Sequence, residues 1–102
     1  MTTVDGLEPT ETRLYLLVAA KLGDVEVGME ADRAVVWHLV DHHKPHSRRH
    51  DRTAGVFELV RAGWLEVLTN RGEDPVIALT ELGQQIFDEH GGKVLKRYRE
   101  TS

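Results

Sequence analysis

The feature that most constrains this chain is a change of hydrophobic period at Gly63. Before this glycine, apolar residues recur at the spacing of a helix; after it, residues 64–68 alternate with a period of two. A second apolar run follows at residues 76–79, and the segment between them, NRGEDP at 70–75, has the composition of a turn. The sequence therefore predicts a helix, a strand, a turn and a second strand, in that order.

Two residues mark the borders of this region. Gly63 is predicted to end the first helix, because glycine readily adopts the left-handed conformation common at that position. Thr80 is predicted to be the N-cap of the last helix, since its hydroxyl can accept a hydrogen bond from a free amide of the first turn. Gly91 and Gly92 are predicted to end this helix, which leaves residues 93–99 as a short helix or a basic tail.

The N-terminal half is predicted to contain two further helices. Helix one is expected over residues 9–22, with Gly23 at its C-terminal end. A short strand is expected at residues 24–28. Helix two is expected over residues 29–43, and its end is set by Pro45, because the residue before a proline is disfavoured in a helix. Three apolar residues share one face of it: Ala31, Val35 and Leu39.

Helix three is predicted to start at Ser47, with a start at Asp51 as the alternative, and to run to about residue 62. Its first part, residues 47–53, is wholly polar, whereas its second part carries the apolar residues. Such a gradient is what a recognition helix needs, because one half packs in the core and the other projects outward. Gly55 costs helix propensity, which close packing against another helix would explain, with close approach of the DNA backbone as the second explanation.

The charge distribution singles out the region around helix three. The net charge is −4, from 13 basic and 17 acidic residues, which argues against indiscriminate binding to nucleic acids. Residues 41–71 nevertheless carry six bases and four acids and are the only third of the chain with a net positive charge.

Length and composition exclude several classes of protein. The 102 residues are expected to form one domain at residues 9–90, with an N-terminal arm at 1–8 and a C-terminal tail at 91–102. There is no cysteine, hence no disulfide framework and no thiolate zinc site. The absence of a secretion signal and of a long apolar run predicts a cytoplasmic protein with no membrane partner. Enzyme motifs, cofactor motifs and metal-binding motifs are missing too, so no enzymatic activity is predicted.

The segments FELVRAGWL, at 57–65, and ALTELG, at 78–83, resemble the MarR and PadR classes of winged-helix transcription regulators. In those classes, L-x-x-x-G followed by two hydrophobic residues leads into the wing, and L-T-x-x-G opens the C-terminal helix. The matching residues are Leu59, Gly63, Trp64, Leu65, Leu79, Thr80 and Gly83. The resemblance implies an α+β, mainly α, winged helix-turn-helix with a three-helix core, a small antiparallel wing sheet and a C-terminal helix. It also implies sequence-specific binding of double-stranded DNA as a dimer.

The candidate DNA contacts lie on helix three, at about residues 48–62, and on the wing at 69–75. A helix in the major groove needs hydrogen-bond donors near its N-terminus and cations for the flanking phosphates. Helix three supplies Ser47, Arg48, Arg49, His50, Arg52 and Thr53, and Lys44 precedes it as a phosphate contact. Asn70 and Arg71 are the wing contacts, although two acids follow them directly.

The histidines suggest a further property, because His38, His42, His46 and His50 recur every four residues. His38 and His42 would be neighbours on one helix and able to chelate a metal, but Pro45 interrupts the series and no metal site is predicted. Their protonation near pH 6.5 would add positive charge beside the DNA face.

The alternative function is a winged-helix protein-interaction module that does not bind DNA. The acidic total favours it, as does a surplus of apolar side chains at Tyr15, Leu16, Trp37 and Trp64. The expected partners are thus double-stranded DNA and a second copy of the chain, in a homodimer through helix one and the C-terminal helix.

Overall fold

The computed structural model describes residues 7–40, 48–69 and 75–101, and within them the chain forms three helices and two antiparallel sheets. The elements are α1 (Glu11–Lys21), β1 (Val25–Glu30), β2 (Arg33–Val40), β3 (Arg48–Asp51), α2 (Thr53–Arg61), β4 (Leu65–Leu68), β5 (Val76–Leu79) and α3 (Glu81–Thr101). One sheet has the order β1-β2-β3, and the other pairs β4 with β5. The predicted α+β class is confirmed.

Helix α1 begins and ends close to the predicted positions. The Thr10 hydroxyl accepts a hydrogen bond from the Arg13 amide at 3.3 Å, and Gly23 follows the helix with a φ of 78°. Leu16 is buried in the core, and Tyr15 packs against it. These two side chains, which suggested a partner surface, are therefore occupied within the chain.

The predicted helix end at Gly63, the strand pair and the start of the last helix are confirmed, whereas residues 70–74 of the predicted turn lie outside the described ranges. Gly63 has a φ of 84°, β4 and β5 pair from Leu65–Leu79 to Leu68–Val76, and α3 starts directly after Thr80. The Thr80 hydroxyl donates to the Gly63 carbonyl and accepts the Gly83 amide at 3.0 Å. A Cβ on Gly83 would lie 1.9 Å from the Trp64 carbonyl oxygen, so only glycine allows α3 to approach this turn.

The prediction of helix two is wrong for residues 29–40, which belong to a β-hairpin; residues 41–43 lie outside the described ranges. Strands β1 and β2 pair in antiparallel register from Val25–His38 to Glu30–Arg33. The turn consists of Ala31 and Asp32, both with positive φ, as in the two-residue turns that suit the twist of a hairpin. Strand β2 is the central strand and its run of apolar residues fits burial on both faces, which a helical spacing can imitate.

The predicted start of helix three at Ser47 is also wrong. Residues Arg48–Asp51 form β3, paired with β2, and α2 begins at Thr53, closer to the alternative start. The Asp51 carboxylate accepts hydrogen bonds from the Thr53 amide at 3.0 Å and from its hydroxyl at 2.6 Å, which fixes the helix start. A Cβ on Gly55 would lie 2.8 Å from a methyl group of Leu16, so the predicted close helix packing is confirmed.

Helix α3 continues through both glycines, so the expected end at Gly91 is wrong. Gly91 is buried beside Phe87, where a Cβ would lie 3.0 Å from the ring. Val94 and Tyr98, further along the helix, are buried in the core that α1 also lines. This burial offsets the weak helix propensity of glycine and extends the helix to Thr101. No helix in the described part of the chain is long and apolar enough to cross a membrane.

Candidate nucleic-acid interface

The junction of β3 and α2 brings together four of the predicted DNA contacts: Arg49, His50, Arg52 and Thr53. The first three are exposed, and Thr53 is half-buried. Arg48 lies on β3. The other predicted contacts, Lys44, Ser47, Asn70 and Arg71, lie outside the described residues. The basic cluster therefore lies at a strand-to-helix junction instead of along one helix.

Thr53 has a structural role at this junction. Its hydroxyl donates to the Asp51 carboxylate and accepts a hydrogen bond from the Val36 amide at 2.9 Å. The hydroxyl thereby joins the start of α2 to the central strand β2. The sequence made Thr53 a candidate DNA contact, but the proton of its hydroxyl is donated to Asp51 within the protein.

Arg33 is a basic residue of this surface that the sequence did not indicate. It lines an open depression of about 620 Å³ together with Asp51, Arg52 and the first residues of α2. Hydrogen bonds from Thr53 lower the pKa of the Asp51 carboxyl, and the nearby Arg33 and Arg52 lower it further. The helix expected over residues 29–43 gave no reason to group Arg33 with helix three, whereas the β1–β2 hairpin brings Arg33 near Asp51.

Arg49 lies over an aromatic ring on the same face of the sheet. Its guanidinium carbon is 4.5 Å from the centre of the Trp37 ring. Trp37 is opposite Asp51, and Arg49 is opposite Leu39, so these side chains share one face. The Trp37 ring also covers Gly28 on β1, where a Cβ would lie 3.6 Å from the indole nitrogen. A glycine within the alternating run VEVGME was the sequence signal for such a close approach.

Comparison with protein-family models, curated proteins and solved structures gave no match.

The chemistry of the junction favours an anionic partner. Arg33, Arg49 and Arg52 are exposed, whereas the Asp51 carboxylate is held by the start of α2. A guanidinium offers five N–H donors in a planar fork, which suits phosphate oxygens and the edge of guanine.

A buried polar network lies beneath this surface, on the opposite face of β2 from Trp37. The Tyr98 hydroxyl donates to the Asp24 carboxylate at 2.5 Å, and the His38 Nε2 atom lies 3.0 Å from the same hydroxyl oxygen. Because that hydroxyl proton points to Asp24, Nε2 of His38 is the donor to Tyr98. The network joins the end of α3 to β2 and to the segment after α1, and the Tyr15 ring packs against His38 and Tyr98.

The surroundings of His38 in the fold shift its pKa. Burial lowers its pKa, Arg52 and His50 lower it further, and Asp24 acts in the opposite direction. His38 and His50 are opposite each other on β2 and β3, so His38 does not lie on the expected helix; His42 lies outside the described residues. Among the residues that the structure describes, no group of three or more histidines and carboxylates is arranged to hold a metal ion.

Proposed function

We propose that this protein binds double-stranded DNA in a sequence-specific manner and acts as a transcription regulator. The observation that carries the proposal is the set of exposed arginines at the β3–α2 junction, Arg33, Arg49 and Arg52, on a chain with a net charge of −4. A local basic surface on an acidic protein attracts phosphates at that surface, whereas the acidic rest of the protein surface repels them.

The order of α1, α2, β4, β5 and α3 supports a variant of the winged-helix fold. In this variant the three-stranded sheet replaces the second helix, and β4 and β5 are the strands of the wing. The helix that enters the major groove is then α2, whose nine residues span about 13 Å. Its exposed N-terminal end, at Arg52 and Ala54, contacts the bases, and β3 lies along the adjacent phosphates.

The wing is proposed to contact DNA through Asn70 and Arg71. Asn70 and Arg71 lie between β4, which ends at Leu68, and β5, which begins at Val76. In the winged-helix arrangement this connection approaches the minor groove or the phosphates. The proposed dimer would also use α1 and α3, and these two helices already pack against each other within the chain.

The experiment that tests the proposal is selection of binding sites from a random pool of duplex DNA, followed by affinity measurements on the enriched site. Arg52→Ala is expected to weaken binding about tenfold or more, as for the loss of a charged hydrogen bond to a base or phosphate. Arg61→Ala is the matched control, because this exposed arginine lies at the other end of α2. The affinity of the wild-type protein should also fall steeply as salt is raised.

Two results would contradict the proposal. One is a pool from which no sequence is enriched. The other is an equal loss of affinity in the Arg52→Ala and Arg61→Ala variants, which would indicate general attraction to cationic side chains without a defined surface.

A second candidate function, the protein-interaction module, is favoured by one observation on the β4–β5 hairpin. Leu68 and Val76 are opposite each other and expose 45% and 56% of their surface. An exposed apolar pair of this kind is suited to contact with another protein. For an interaction module, Val76→Ser would abolish capture of a protein partner, and Arg52→Ala would leave it unchanged.

A further inference from the structure

Three strands together hold Arg49 in place. Gly28 on β1 leaves room for the indole of Trp37 on β2, and the guanidinium of Arg49 on β3 lies over that indole. The sheet register brings the three residues to the same face. Arg49 is thus exposed to solvent, and at the same time its guanidinium group lies against an aromatic ring.

This stacking has a specific physical effect on the arginine. A free arginine side chain samples many rotamers and loses that freedom when it binds a ligand. A cation over an aromatic ring is attracted to the face of the ring, so stacking restricts the side chain without using its N–H donors. The donors at the edge of the guanidinium remain available to an oxygen ligand.

The acidic residues opposite Trp37 form no ion pair with Arg49. Glu26 and Asp51 are the residues opposite Trp37 on the two neighbouring strands. Asp51 is engaged with Thr53, and none of the ion pairs among the described residues includes Arg49.

We propose that Trp37 is a positioning residue for DNA recognition: it holds the guanidinium of Arg49 in the orientation that binds a backbone phosphate of the duplex. This inference depends on the proposed DNA-binding function and adds a residue that touches no DNA itself. Its consequence is that Trp37 contributes to affinity only while Arg49 is present.

The test is a double-mutant cycle on the selected duplex, with affinities measured at several salt concentrations. Trp37→Leu is expected to weaken binding about two- to fivefold, which corresponds to the loss of one exposed cation–π contact. Trp37→Phe keeps an aromatic face and is expected to stay within about twofold of the wild-type protein. In the Arg49→Ala background, Trp37→Leu should have no further effect. Circular dichroism of each variant verifies that the sheet is retained.

A measurement on the free protein separates this inference from the proposed function. Ring currents of Trp37 should shift the NMR signals of the Arg49 side chain, and Trp37→Leu should remove the shift. If the wild-type protein shows no salt-dependent binding to the duplex, the proposed function and the positioning role are both overturned, whatever the NMR result. If Arg49→Ala weakens binding and Trp37→Leu does not, only the role of Trp37 is overturned. Equal effects of Trp37→Leu with and without Arg49, or tighter binding of the single strand than of the duplex, would mean that Trp37 contacts nucleic acid directly and would also overturn it.

Discussion

Replacement of Gly83 by alanine tests the packing of α3 against the turn after α2. The new Cβ would lie 1.9 Å from the Trp64 carbonyl oxygen, whereas real Cβ contacts essentially never fall under 3.0 Å. The first turn of α3 must therefore move by about 1 Å or more. That movement disrupts the 3.1 Å hydrogen bond from the Thr80 amide to the Trp64 carbonyl.

The expected loss can be estimated from opposing contributions. Overpacking of this kind costs about 1–3 kcal/mol, and the weakened hydrogen bond costs about 1 kcal/mol. Alanine returns about 1 kcal/mol through its higher helix propensity. The net result is a loss of about 2 kcal/mol, which lowers the melting temperature of a domain of this size by about 8–16 °C.

Gly92 provides the matched control within the same helix. No atom lies within 4 Å of the position of its Cβ, so Gly92→Ala should gain about 1 kcal/mol from helix propensity alone. Thermal and urea unfolding followed by circular dichroism would measure both variants. A Gly83→Ala variant as stable as the wild-type protein, or a shift of both variants in the same direction, would refute the assignment of a backbone contact at Gly83.

Two further predictions concern the hairpin and the buried histidine. Because the pKa of His38 is lowered in the folded protein, the unfolded chain takes up this proton at a higher pH than the folded protein does. Stability therefore decreases as the pH falls below about 6.5, by at most about 1.4 kcal/mol per pH unit. Urea unfolding of His38→Gln, which keeps a donor to Tyr98 but does not titrate, should lack this component, and an identical pH profile would contradict the assignment. Ala31→Asn combined with Asp32→Gly should raise stability by about 1 kcal/mol, because both positions have positive φ. An unchanged or lower melting temperature would contradict the assigned turn.

The region from Gly63 to Gly83 could be predicted because its structure depends on local chemistry. Gly63 adopts a positive φ, and the hydroxyl of Thr80 caps α3. Gly83 has no side chain, which allows α3 to approach the turn closely. Each of these requirements restricts one position of the sequence to one or a few residue types. The period of the intervening strands agrees with them, so several independent signals point to the same structure.

A short strand was expected at residues 24–28, where β1 begins, but β2, the hairpin turn and β3 could not be predicted, since they depend on pairing between distant segments. The turn at Ala31 and Asp32 lacks the Asn-Gly signal of a two-residue hairpin loop. The run from Ala34 to Val40 has a spacing compatible with a helix, and buried strands share this ambiguity. Strand β3 consists of four charged or polar residues, so its own propensity does not favour a strand and the ladder with β2 determines its conformation.

This difference explains which part of the candidate site could be inferred from the sequence. The accumulation of charge between Lys44 and Arg52 is a property of composition, and it is independent of whether the segment is a helix or a strand. The grouping of side chains, however, depends on the period. On a helix Arg49 and Arg52 would share a face one turn apart, whereas on β3 Arg49 shares a face with Asp51 and with Trp37 across the ladder. The error in secondary structure therefore changed the neighbours of Arg49 and left its charge in place, which is why the coupling between Arg49 and Trp37 is the measurement that distinguishes the strand from the helix.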